Sequence, residues 1–432
     1  MRKKLLLGAM ALALLLTSCG RPPASCVLPA TDTPVSLASQ GNERIQRVES
    51  GLVPMTGDGE FQWGTREGIA DRMEHYQVPG VGIAVIDDFE IAWTKGYGVL
   101  EAGGEEPVTP HALFHAGSIA KPVSAAAALV LVEKGLLDLD EDVNDKLTSW
   151  QIPENEYTAV EKVTLRRLLS HSSGLTDGFA MRSSSDPEFD WWKASEGESP
   201  TITIQHLLEA QPPADDGSPT RVTRVPGTAY QYSNFGYGVL QLLMADVNGQ
   251  PFSELMRETV LGPVEMTSST FEQPLPEELR DRAATEHYVD GQPFEEKRHH
   301  YPVLAAGGLW TTPSDLARFA IEIVRARAGK SEVLLSEKMA DEMLTPQIEV
   351  HDSFLKDSYG LGFDLAGEGQ ESRFSHTGGT WGSTCLLWMH PETGQGAVIM
   401  TNSATGQGAI RFEILASIAV EYGWPLAAPE SQ

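Results

Sequence analysis

Cysteine is scarce in this chain, with three among 432 residues, at positions 19, 26 and 385. A chain of this length builds a core without staples, so Cys385, in the apolar run STCLLWM, reads as a buried free thiol rather than part of a disulfide framework. Positive charge is scarce too. Sixty Asp and Glu outweigh 32 Lys and Arg, a formal charge of −28, and such a surface repels phosphate backbones, so nucleic acid is excluded as a partner. After the first eighteen residues no stretch approaches the ~18 consecutive apolar residues of a membrane span. The Gly-x-Ser-x-Gly elbow of the α/β-hydrolases is missing, as is any glycine-rich phosphate loop. His111 and His115 have helical spacing but lack the accompanying glutamate and a third ligand, so no metal and no cofactor is expected.

What is present begins with a leader. MRKKLLLGAMALALLLTS has a basic start, an apolar stretch and small residues before Cys19, the pattern of a secretory signal. Leu16-Thr17-Ser18-Cys19 resembles the lipobox of bacterial lipoproteins, which implies lipidation of Cys19 and a membrane tether without a spanning helix. The expected organisation is a signal peptide over 1–18, a lipid-anchored linker over 19–60 rich in Pro, Ser, Thr, Asp and Gly, and a folded body over 61–425. The expected location is the exported cell envelope, periplasmic or on an outer face.

Within the body, TREGIADRMEHYQ has a helical pattern, and VGIAVID and EIAWTKGYG read as two strands of a hairpin. Helix-forming segments dominate from about 125 to 345, interrupted by an acidic stretch, MRSSSDPEFDWWKASEGESP, that reads as a flap with Trp191 and Trp192 as a packing plug. Short strands return after 358 in YGLGFDLA, SRFSHTGG, TCLLWMHP and GAVIMTN, and GAIRFEILASIAVEYG closes the chain as a helix. Strands at both ends with helices between them predict an α+β fold: one antiparallel sheet assembled from the two termini, flanked by helices, with an all-helical region inserted.

The chemistry is concentrated in GSIAKP, which opens the apolar run VSAAAALVLVEKG. Three helical residues rise only ~4.5 Å and stay on one face, so Lys121 reaches the Ser118 hydroxyl. Pro122 suits the first turn of a helix starting near Ser118. A serine there aims its own N–H and the positive helix end at a bound carbonyl oxygen, which is half an oxyanion hole. Burial of Lys121 favours its neutral, basic form. The second Ser-x-x-Lys, at Ser353 and Lys356, lies in a polar stretch without such a helix.

FHAGSIAKP, VTLRRLLSHSSGL, PGTAYQYSNFGYGVL, AAGGLWTTPSDLARF and HTGGTWG together resemble, in order and spacing, the serine hydrolases related to class C β-lactamases and D-Ala-D-Ala peptidases. The resemblance spans roughly residues 60 to 425 and implies their α/β sandwich. It also implies that Ser118 is the acyl-forming nucleophile, Lys121 its proton partner and Tyr232 a proton relay to the leaving group. Asn234 would bind Lys121 and the substrate amide. The strand His376-Thr377-Gly378 would pair with extended substrate, and Gly379 would donate the second oxyanion N–H. His171 is expected to anchor a loop, and Gly307 and Gly308 to form a tight turn near the site.

The resemblance departs at His376, where the β-lactamases of this group carry lysine. A histidine of ordinary pKa is mostly neutral at pH 7 and attracts a carboxylate weakly, so efficient β-lactam hydrolysis is not expected. The resemblance itself, through His-Thr-Gly as found in D-specific peptidases and esterases of the family, implies an ester or a D-amino-acid peptide as substrate. The alternatives are a β-lactamase and a non-catalytic penicillin- or peptidoglycan-binding module.

Overall fold

A computed structural model describes residues 37–57, 59–176, 204–210, 219–295, 297–298, 300–351, 353, 355–404 and 408–425. The leader, Cys19, Cys26 and the tryptophan pair at 191 and 192 lie outside them. The described residues from Arg44 onward form one compact unit.

Among the described residues, eight strands form one antiparallel sheet. β1 (Gly80–Asp87) and β2 (Glu90–Gly98) make the hairpin, and β5 (Ile348–Glu349), β6 (Ser358–Tyr359), β7 (Asp364–Ala366), β8 (Arg373–Gly379), β9 (Thr384–His390) and β10 (Gln395–Thr401) come from the C-terminal part, in spatial order β2-β1-β10-β9-β8-β7-β6-β5. The pairing of β1 with β10 joins the two ends of the chain, Ile83 facing Ile399. The sheet is therefore the one expected from the strand pattern. A separate two-stranded ladder pairs β3 (Phe114–His115) with β4 (Trp310–Thr311), just before the turn that carries Ser118.

Alternation along the central strands divides the core in two. Val81, Ile83, Val85, Leu386, Trp388 and Ile399 pack with Ile410, Ile414 and Ile418 of the last helix, Ala409–Tyr422. Ala84, Ile86, Cys385, Leu387, Val398 and Met400 face the larger helical region on the other side. β1 is buried along almost its whole length because both of its faces are covered. On that second side the helix Ala120–Glu133 is buried from Ala120 to Leu131, as its unbroken apolar run requires. Thr312, the residue before Pro313–Arg327, caps that helix by accepting the Asp315 N–H, with proline in its first turn.

The spacer expected before residue 61 differs in part. The helix Leu37–Ser50 ends in a segment where Val48, Leu52 and Val53 are buried, and Leu52 bridges Glu67. These apolar residues sit among polar ones at spacings that composition alone conceals. Below them, Glu413 accepts from Arg72 Nε at 2.7 Å and Nη2 at 2.8 Å, from the Tyr76 hydroxyl at 2.7 Å and from the Met55 N–H at 2.7 Å. This buried knot ties the segment and the helix Ile69–His75 to the last helix.

Candidate active site

Ser118 sits in a 3-10 turn, Gly117–Ile119, and the α-helix starts at Ala120. The turn rather than the helix proper holds the serine, because Gly117 has φ +52° and reverses the chain as it leaves β3. A Cβ at Gly117 would also fall 2.8 Å from the Gly379 nitrogen. The two segments that would furnish oxyanion donors are thus in direct backbone contact.

Lys121 is fully buried, and its Nζ lies 3.0 Å from Ser118 Oγ, 2.8 Å from Asn234 Oδ1 and 2.9 Å from the Ala306 carbonyl oxygen. It also stands 4.7 Å above the Tyr232 ring. Ser233 caps the helix Asn234–Asn248, its hydroxyl accepting the Gly236 N–H at 2.9 Å, and this leaves the Asn234 side chain to bind Lys121. Burial raises the Tyr232 phenol well above its ordinary pKa, opposed by its hydrogen bond with Ser118. Tyr232 therefore rests as a neutral phenol.

Ser118, Tyr232, Asn234 and Gly379 line one cavity of about 560 Å³, together with Tyr301, Val303, Gly307, Thr380 and Trp381. β7 pairs with β8 only as far as Ser375, so on that side the β8 edge from His376 to Gly379 has no strand beside it among the described residues. That edge runs toward the cavity.

His376 and Thr377 do not line the cavity with their side chains. The His376 ring points into the protein, where Nδ1–H donates to the Thr377 carbonyl oxygen at 2.6 Å and Nε2 accepts from the Tyr359 hydroxyl at 3.0 Å. Burial above all lowers its pKa to about 3, so it is neutral at pH 7. The carboxylate attraction considered for it from sequence does not arise, because the side chain faces the wrong way. Gly378 shows why this strand needs its glycine: a Cβ there would lie 2.0 Å from the Ala116 carbonyl oxygen.

His171 does more than anchor a loop. Its Nδ1 accepts the Ser233 N–H at 3.2 Å, and its ring centroid stands 4.3 Å from that of Tyr232. Burial pushes its pKa well below the ordinary value, so a neutral imidazole braces the Tyr-x-Asn segment. Lys356, of the second Ser-x-x-Lys, bonds Asp364 at 2.5 Å and the Tyr230 hydroxyl at 3.0 Å. The Ala306 carbonyl and the walls from Tyr301, Val303 and Trp381 carry no sequence signature of their own. Only the adjacent glycines hinted at them.

Residues 66–419 match the family model described as Beta-lactamase. The chain is 26% identical over 346 residues to penicillin-binding protein 4 of Amycolatopsis lactamdurans, covering 77% of this chain and 82% of that protein. It is 23% identical over 371 residues to penicillin-binding protein 4* of Bacillus subtilis, covering 83% and 75%. Both matches span most of each protein, so the likeness is to whole domains. Among solved structures, the octameric penicillin-binding protein homologue from Pyrococcus abyssi superposes with a TM-score of 0.64 at 24% identity, over 82% of this chain and 76% of that one. The D-amino acid amidase from Ochrobactrum anthropi SV3 gives 0.63 at 22% identity, over 88% and 99%. At such identities the structures speak to the fold alone.

Proposed function

Because this chain belongs to the beta-lactamase family and is a serine hydrolase of it, we propose that it works through an acyl-enzyme on Ser118 and cleaves an ester or a D-amino-acid-containing peptide. The observation that carries this reading is the set of neighbours around the Lys121 amine. Asn234 Oδ1 and the Ala306 carbonyl are both acceptors, at 2.8 and 2.9 Å. A neutral amine has two N–H bonds and one lone pair, so two donations to these oxygens leave the lone pair for the Ser118 hydroxyl at 3.0 Å.

In the first half-reaction Ser118 Oγ bonds the substrate carbonyl carbon while its proton passes to Lys121. The tetrahedral oxyanion is held by the N–H groups of Ser118 and Gly379. The bond to the leaving group then breaks, and Tyr232, already protonated, donates to the departing oxygen or nitrogen and is reprotonated from Lys121. In the second half-reaction water attacks the acyl carbon, loses its proton through the same relay, and Ser118 leaves with one. Extended substrate pairs with the open edge of β8, and Asn234 orients its amide.

The proposed setting is the cell envelope, with the leader removed and Cys19 lipidated, so that the hydrolase meets small-molecule or peptide substrates at a membrane surface. The test is intact-protein mass spectrometry of the mature chain and its Ser118→Ala variant. Each is mixed with a fluorescent penicillin, p-nitrophenyl butyrate or a D-Ala-D-Ala peptide, and product release is followed in parallel. An adduct or turnover that disappears in the variant supports the acyl-serine reading, and turnover that persists in it removes Ser118 from the reaction. Adduct without product release would favour a binding module instead.

A further inference from the structure

The cavity at Ser118 is built from uncharged groups. Among the described residues that line it, Tyr301, Val303 and Trp381 supply apolar and aromatic walls, Ser118, Tyr232, Asn234 and Thr380 neutral polar groups, and none is a lysine, arginine or histidine.

Among the described residues, the basic side chains of Lys121, Lys356, Arg411 and His376, close to the open part of β8, are turned onto internal partners. Lys121 bonds Ser118, Asn234 and Ala306, and Lys356 bonds Asp364 and Tyr230. Arg411, under the sheet, donates to the Gly378 carbonyl at 3.1 Å. His376 is bonded between Thr377 and Tyr359, away from the cavity. An anion entering this cleft would lose water and meet, among the described residues, apolar and aromatic surface and neutral hydroxyl and amide groups but no counter-charge. The formal charge of −28 adds a repulsive field around the whole molecule.

Resting on the acyl-serine reading above, we propose that the site selects substrates with no free carboxylate next to the scissile bond. These are neutral esters, or amides and peptides whose neighbouring carboxyl group is itself amidated or esterified, with an apolar or aromatic group against Tyr301 and Trp381. Discrimination comes from desolvation: a neutral group enters at little cost, whereas a carboxylate enters without a counter-charge.

The experiment compares 3-acetoxybenzoate with methyl 3-acetoxybenzoate, which present the same acetyl group and differ by one carboxylate. Rates of phenol release are normalised to hydroxide-catalysed hydrolysis, and acetylation of Ser118 is followed by mass. We expect kcat/KM to favour the methyl ester by about tenfold or more, the discrimination of an unpaired polar group in a pocket. In Trp381→Lys, which puts a cation on the wall, the preference should shrink by at least about threefold, a rim-charge effect. Equal or faster cleavage of the carboxylate by the native chain overturns the inference while leaving the acyl-serine reading intact. If neither ester acetylates Ser118, the acyl-serine reading falls and the inference falls with it.

Discussion

Gly378 and Ala116 touch so closely that a single added methyl group at residue 378 would sit 2.0 Å from the Ala116 carbonyl oxygen. Through this contact β8 is pressed against the turn that carries Ser118, and the two proposed oxyanion donors keep their spacing. A Gly378→Ala variant must move one backbone away from the other. Since an ångström of misplacement costs about 10²-fold, kcat should fall by roughly that factor. Steady-state kinetics on p-nitrophenyl butyrate check it, with circular dichroism showing the fold retained. Activity within threefold of native would mean that the strand and turn need not be in register.

Lys121 is the group that the geometry makes hardest to replace. Lys121→Met keeps the buried volume and removes the amine, which in the proposed mechanism takes the Ser118 proton. The rate of acylation should drop by about 10²–10⁴, the usual range for a positioned base. Thermal stability should fall by about 1–3 kcal/mol, because the buried Asn234 Oδ1 and Ala306 carbonyl lose their donor. Stopped-flow measurement of adduct formation separates the two effects. Acylation slowed less than tenfold would assign the base elsewhere.

Buried histidines make stability sensitive to acid. Burial lowers the pKa of His376 to about 3 and that of His390 to about 4, and pushes His171 well below the ordinary 6.5. Each is neutral when folded but takes up a proton in the unfolded chain below about pH 6.5. The unfolded state therefore binds more protons between pH 6.5 and about 4, and stability falls as pH falls through that window. The sign is fixed by the depressed native values, and each histidine contributes up to ~1.4 kcal/mol per pH unit well below 6.5. Urea melts at pH 7.5, 6.0 and 5.0 should show this decline, and His376→Gln should flatten its slope. A slope unchanged in the variant would mean that His376 titrates in the native chain.

Much of this was readable in the sequence because the signals were local. The VGIAVID and EIAWTKGYG hairpin, the apolar helix after Ser118 and the closing helix each declare themselves within a dozen residues, by period and by turn chemistry. Ser118, Lys121, Tyr232 and Asn234 could be named together because their motifs come in a recognisable order, and the fold brings these four together. His376 shows what the sequence withholds. Its motif marks the strand, yet whether the ring faces the cleft or the core depends on Tyr359, seventeen positions earlier on another strand. The walls from Tyr301 and Trp381 were hidden for the same reason. They meet at the cavity only after loops far apart in the chain have closed, and no spacing encodes that.

The Arg72–Glu413 pair offers the clearest stability test, because it lies far along the chain from Ser118 and joins both termini. The side chains are 6% and 0% exposed, and Glu413 accepts four hydrogen bonds, from Arg72 twice, Tyr76 and Met55. A surface ion pair would be worth little, but here deletion of one partner strands a buried charge. Arg72→Ala should therefore lose about 3–5 kcal/mol. The loss should be smaller in Arg72→Met paired with Glu413→Leu, since two apolar groups of similar volume leave no charge behind, although the Met55 N–H and the Tyr76 hydroxyl then lack their acceptor. Urea unfolding of the three proteins, with ester hydrolysis measured before denaturation, distinguishes the cases. If Arg72→Ala unfolds within 1 kcal/mol of the native chain, on the scale of an exposed pair, then the terminal helices are held by their apolar contacts and the ion pair is incidental to them.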